Sequence, residues 1–281
     1  MLSKSQIENI EILLKDVAEQ EILPRYGDLQ EKDVEFKGLN DPFTIADVRS
    51  ERALKAGLLK ILPNSLFIGE EEYSENPEIL SHLVQADKPV WVVDPIDGTK
   101  NFIYQRGGFG IMVALLYKGE YLGGWFYEVS KGNLTGYYKD YGLHYNQENG
   151  FYSRFGAQKE QEDSVVRGWA GYKLYVHEEF QKVLNQNDAY FEMTQAREPS
   201  IVAYPLLFQG DVDFLLYRVT YPWDHLPGIA MAKALGGVVA NWSGQDYKLD
   251  DTHQGLIVAN SNESLETALE YLAKPLAKAF A

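Results

Sequence analysis

Apolar residues recur along this chain in two rhythms. Ile7, Ile10, Leu13, Leu14 and Val17 return every three or four positions with Glu and Lys between them, which predicts an amphipathic helix ending before Pro24. Residues 28–37 are polar and read as a loop or a short exposed strand. Thr44, with Asp47 three positions later, resembles a capping box in which Asp replaces the usual Glu. Leu54, Leu58 and Ile61 carry that helix to Leu62, and Pro63 stops it. Short apolar runs at 65–68 and 90–93 read as strands. Pro95 cannot continue a central strand, so the chain is expected to turn at Asp94. The runs 110–117 and 121–129, joined through Lys118-Gly119-Glu120, predict an antiparallel hairpin, and 134–138 adds a strand. Beyond residues 145–160 strands and helices alternate: strands at 165–169 and 190–192 around a helix at 178–184, then strands at 238–240 and 256–259. A helix opens near Asp224 and ends at Gly236-Gly237, and a closing helix over 264–278 is interrupted near Pro275. The change of rhythm places a soft boundary between subdomains 1–148 and 149–281.

Composition narrows the function classes. The 281 residues carry a formal net charge of −15, which argues against a nucleic acid polymer or an anionic membrane as partner. An anionic small substrate stays open, because a bound cation reverses the local sign. With no cysteine there is no disulfide, thiolate catalysis or cysteine-held metal. No apolar run reaches the roughly 18 residues that span a membrane, and the N-terminal stretch mixes acids with apolar residues, unlike a signal peptide. The expectation is a cytoplasmic protein.

The chemistry concentrates in Trp91-Val92-Val93-Asp94-Pro95-Ile96-Asp97-Gly98-Thr99-Lys100. An apolar run ends in two carboxylates, and then come a glycine, a hydroxyl and a lysine. Two acids held together repel each other unless a cation joins them, and backbone N–H groups after a glycine suit a phosphate. Taken alone, such a stretch is more often a surface turn. The apolar run 66–68 ends likewise in Gly69-Glu70-Glu71-Glu72, and Asp224 stands at a helix start in Tyr221-Pro222-Trp223-Asp224. The five histidines show no ligand-like pairing, and His225 reads as a packing residue.

These motifs, with Asp41-Pro42-Phe43-Thr44-Ile45-Ala46-Asp47, resemble those of the inositol monophosphatase family in composition and order, over roughly residues 8–260. The resemblance implies a layered α-β-α-β-α sandwich and an Mg2+-dependent phosphomonoesterase using two to three ions. Glu70, Asp94 and the Ile96 carbonyl would bind one Mg2+; Asp94, Asp97 and Asp224 a second; a third would sit on Glu70 with its waters held by Asp47. Glu70 and Thr99 would activate the attacking water, and the N–H groups of Gly98 and Thr99 would hold the phosphate. A homodimer is implied too. At the position where inositol phosphatases carry a Glu toward the inositol hydroxyls, this chain has Tyr217, followed by Arg218, which could meet a second anionic group. Tyr172 and Tyr175 are further candidates for the pocket wall. Three readings follow: a phosphomonoesterase for a polyol, sugar or histidinol phosphate; a 3′(2′),5′-bisphosphate nucleotidase; and a regulatory or scaffold protein that retains the fold.

Overall fold

The stripe Ile7, Ile10, Leu14 and Val17 buries one face of helix α1 (Lys4–Val17), which Ser3 opens by accepting the Gln6 N–H. The computed structural model describes residues 2–38, 41–145, 165–194 and 198–280. After α1 the chain does not stop but widens into a π-turn (Ala18–Ile22) and a 3-10 turn (Leu23–Arg25) that takes in Pro24. Strands β1 (Val34–Gly38) and β2 (Asp41–Thr44) pair antiparallel and lead into α2 (Ile45–Ile61). The capping box forms as expected, with the Thr44 N–H donating to Asp47 at 2.7 Å. Then follow β3 (Leu66–Gly69), α3 (Glu70–Glu75), the single turn α4 (His82–Gln85), β4 (Val90–Asp97) and α5 (Thr99–Ile103).

Strands β5 (Gly110–Tyr117), β6 (Glu120–Glu128), β7 (Asn133–Tyr138) and β8 (Gly142–Tyr145) complete a six-stranded sheet in the order β3-β4-β5-β6-β7-β8. Only β3 and β4 run parallel in it. The second half contributes β9 (Val166–Ala170), α6 (Tyr172–Tyr175), α7 (Glu178–Gln186), β10 (Phe191–Thr194), α8 (Ser200–Gln209), β11 (Phe214–Tyr217), α9 (Pro222–Ala234), β12 (Val238–Ala240) and β13 (Leu256–Ala259). These strands form a five-stranded sheet, β10-β9-β11-β13-β12, with β13 antiparallel to both its neighbours. The closing helices α10 (Asn262–Ala268) and α11 (Lys274–Ala279) are continuous through a π-turn (Leu269–Ala273). Pro275 directly follows that π-turn, where the Lys274 N–H reaches back five residues to the Leu269 carbonyl and widens the helix, and the chain stays helical through it.

Side-chain alternation along the strands sorts the core into three layers. Trp91 and Val93 face α1 and α2, whereas Val92 faces the middle of the molecule with Met112 and Phe126. From the other sheet, Leu215 and Val258 point to that same middle, where Tyr204 and Phe208 of α8 and Leu226 and Ile229 of α9 lie between the sheets. Phe214, Leu216 and Ile257 point outward to Phe180 of α7 and to Leu272 and Leu276 at the C-terminus. The layers therefore run helix, sheet, helix, sheet, helix, as the resemblance implied. The expected boundary at 148/149 lies outside the described residues. Among the described residues no helix is long and apolar enough to cross a membrane.

The turn expected at Asp94 is corrected. Strand β4 continues through Pro95 to Asp97, and its pairing with β5 slips between those points. Asp94 opposes Met112 and Asp97 opposes Gly110, so Pro95 and Ile96 together face the single residue Ile111. That is a β-bulge, one of the few places where a proline is tolerated inside a sheet.

Candidate active site

The bulge creates the site. In a regular strand, residues three apart point to opposite faces. The extra residue cancels that: Ile96 packs with Trp91 and Val93 on the outer side, and Asp94 and Asp97 both turn to the middle layer. There they meet Asp224, in the first turn of α9, and carboxylate oxygens from the three residues lie within 4.8 Å of one another. The Asp94 carboxylate accepts the Ile96 N–H at 2.9 Å, which fixes the bulge. Asp97 accepts the Ile201 N–H at 2.5 Å, which ties it to the start of α8. Burial raises all three acids, and their neighbours' charges raise them further; Asp97 is pushed up to about 7 despite the N–H groups of Ile201 and Gly98 that face it. Oxygen donors only, two buried and the third half-buried, repelling each other, fit a hard divalent cation.

Beyond the bulge the backbone reverses at Gly98, whose φ of +89° is left-handed. A Cβ there would also stand 2.7 Å from the Gly108 carbonyl oxygen, so no other residue makes this turn without strain. Thr99 follows at the start of α5, and its hydroxyl lies between Ile96 O at 3.0 Å and Asp47 Oδ1 at 3.2 Å. The other Asp47 oxygen takes the Thr44 hydroxyl at 2.6 Å. Burial pushes Asp47 up to about 7, against the lowering effect of the Thr44 hydrogen bonds. A hydroxyl backed by a carboxyl that readily holds a proton is suited to orient and deprotonate a water.

Glu70 opens α3 at the edge of this cluster. It is not among the three converging acids but accepts from Lys37 Nζ at 2.9 Å, while Glu71 accepts from the same ammonium at 2.7 Å. Burial pulls the Lys37 ammonium down, but the two glutamates outweigh it and hold it above the ordinary lysine range. Sequence reasoning does not single out Lys37, which ends the stretch read as a loop or a short exposed strand and lies on β1. It also missed Glu51, whose buried carboxylate accepts the backbone N–H groups of Glu71 and Glu72 at 2.8 and 2.9 Å. A signal for Glu51 existed: it shares the stripe 47-51-54-58 with two buried leucines.

The substrate candidates divide. Tyr217 is buried beside the cluster, its ring 4.3 Å from that of His225 and 5.2 Å from that of Trp169. Arg218, the residue just after β11, points to the opposite side and lies over the Phe280 ring at 3.9 Å. Tyr175 turns outward to Phe180, and Tyr172 and Lys100 are exposed. His225 is buried against Tyr204 and Tyr217, and burial holds it down at about 3, so it packs as a neutral ring.

A model of the inositol monophosphatase family matches residues 3–277. The chain belongs to the inositol monophosphatase family. It is 25% identical over 285 residues to the inositol-1-monophosphatase of Rhizobium meliloti (strain 1021), covering 98% of this chain and 99% of that one. It is 26% identical over 229 residues to the 3′(2′),5′-bisphosphate nucleotidase CysQ of Escherichia coli (strain K12), covering 80% and 87%. The solved IMPase of Thermotoga maritima superposes with a TM-score of 0.75 at 21% identity over 98% of this chain and 99% of that one, which shows the shared fold. As a member of this family the chain is a phosphoric monoester hydrolase.

Proposed function

We propose that this member of the inositol monophosphatase family is an Mg2+-dependent phosphomonoesterase acting on a small monophosphate. The observation that carries the reading is the convergence of Asp94, Asp97 and Asp224 beside the Thr99–Asp47 pair. Those three acids, with Glu70 and the Ile96 carbonyl, would hold the metal. When bound, Mg2+ neutralises phosphate charge and lowers the pKa of water. The rest falls to the chain. Thr99 Oγ1 accepts a hydrogen bond from the attacking water and passes its own proton toward Asp47 Oδ1. The water oxygen then bonds to phosphorus as the bond to the ester oxygen breaks in line on the far side, and the departing oxygen takes a proton from solvent, so that an alcohol and inorganic phosphate are released. The Gly98 N–H is turned to Asp97, so the Thr99 N–H would be the one that faces the phosphate.

The leaving group meets an aromatic wall at Tyr217 rather than an acid that would bind polyol hydroxyls. A bisphosphate substrate needs a second cation, and the stacking of Arg218 on Phe280 removes the obvious one, so a monophosphate is favoured. Phosphate release from a panel of sugar, polyol, histidinol and nucleoside phosphates, with Mg2+ and with chelator, tests the reading. Magnesium-dependent release with preference for a monophosphate is expected. Turnover that survives chelation, or none from folded, Mg2+-loaded protein, would overturn it.

A further inference from the structure

Helix α3 begins without a cap of its own. The residue before it is Gly69, which has no side chain to accept the first free N–H groups. The cap comes from a distant part of the chain. Glu51 of α2 places one oxygen 2.8 Å from the Glu71 N–H and the other 2.9 Å from the Glu72 N–H. A Cβ on Gly69 would stand 2.3 Å from that carboxylate, so the absent side chain is what lets Glu51 in. A serine at the helix start would have capped it without charge. Instead the chain buries a fourth acid among Glu70, Glu71 and Glu72, although burial and the charges of Glu70 and Glu72 make its ionised form costly.

This arrangement joins Glu70 to Asp47. Glu51 lies one helical turn beyond Asp47 on the same buried face of α2, and Asp47 holds the Thr99 hydroxyl. One rigid helix thus grips both the Thr99 side of the site and the backbone that carries Glu70. We infer that Glu51 is a positioning residue: its carboxylate fixes the start of α3 so that Glu70 faces the cation shared with Asp94. The inference rests on the reading of Glu70 as a metal ligand.

The test is Mg2+ binding by calorimetry and by Mg2+-induced thermal shift, both without substrate, on Glu51→Gln, Glu51→Ala, Glu70→Gln and the double variant Glu51→Ala/Gly69→Ser. Leu58→Ala, a core substitution on the same helix, is the control for lost stability. Glu51→Gln is expected to weaken Mg2+ binding about 10-fold, and Glu51→Ala more, while Leu58→Ala binds Mg2+ as wild type does even with a lower Tm. With Glu51 truncated there is room for a side chain at position 69, whose φ of −110° suits serine. The double variant should therefore recover most of the lost affinity by capping α3 from within. Unchanged Mg2+ binding in Glu51→Gln, an equal loss in Leu58→Ala, or no recovery in the double variant would each overturn the inference. Wild-type affinity in Glu70→Gln would overturn the ligand role itself, and the inference with it.

Discussion

Replacing Asp47 with Asn separates the chemistry of this residue from its structural duty. Oδ2 accepts from the Thr44 N–H at 2.7 Å and the Thr44 hydroxyl at 2.6 Å, and Oδ1 accepts from Thr99 at 3.2 Å. An amide offers one acceptor and one donor end. The Thr44 N–H can only donate, so the amide oxygen must stay on that side and the NH2 group must face Thr99. The cap survives, and stability changes by less than about 1 kcal/mol, or roughly 3 °C in Tm for a chain of this size. The other end inverts. Thr99 now receives a hydrogen bond from residue 47 and has no carboxylate to take its proton. Losing a positioned proton acceptor typically costs about 10²- to 10⁴-fold. Steady-state kinetics at saturating Mg2+ should therefore show kcat lowered about 10²-fold or more with KM nearly unchanged. A kcat within a few-fold of wild type, in a variant with wild-type Tm, would refute the role of the Thr99–Asp47 pair.

Three further outcomes are expected. Thr99→Ala should lower kcat more than it raises KM, and Thr99→Ser should retain most of the rate; the reverse split would make Thr99 a substrate contact. Lys37→Met should leave Glu70 and Glu71 facing each other unpaired, which lowers the metal-free Tm and enlarges the Mg2+-induced Tm rise; an unchanged rise would show that Lys37 does not compete for Glu70. Asp47 and Asp97 titrate at about 7 in the fold against 3.8 for a free aspartate. The fold keeps protons that the unfolded chain gives up, so metal-free stability should fall as pH rises from about 4 to about 7. Saturating Mg2+ should flatten that slope in differential scanning fluorimetry, and a parallel slope with and without Mg2+ would contradict the assignment.

What was readable from the sequence follows from how each residue announces itself. Glu70, Asp94, Asp97 and Asp224 each end an apolar run or open a helix, so local pattern alone singles them out. Thr44 and Asp47 declare a capping box, and the structure adds only that Asp47 also reaches Thr99. Lys37 was hidden because its partners lie 33 and 34 residues away, brought together by the pairing of β1 with β2. Helix α8 was missed because it is apolar on nearly every side, being wedged between two sheets, and so lacks the one-sided stripe that marks a surface helix. Pro95 misled because a proline argues against a regular strand, and this strand is irregular at that point.

The bulge in β4 has a consequence for how the site can be lost. The placement of Asp97 depends on a count of residues, two against one opposite Ile111, as much as on its being an acid. Inserting one residue beside Ile111 in β5 would leave Asp94, Asp97, Asp224 and Glu70 all present in the chain. Pro95 and Ile96 would then each have a partner, the ladder would run on in regular register, and Asp97, three positions from Asp94, would swing to the outer face among Trp91 and Val93. A lineage could therefore abandon the site by one codon's insertion in a strand that carries none of its acids, while its protein still displayed the complete set. In relatives of this chain, the length of the strand facing the two aspartates is as telling a mark of activity as the aspartates themselves.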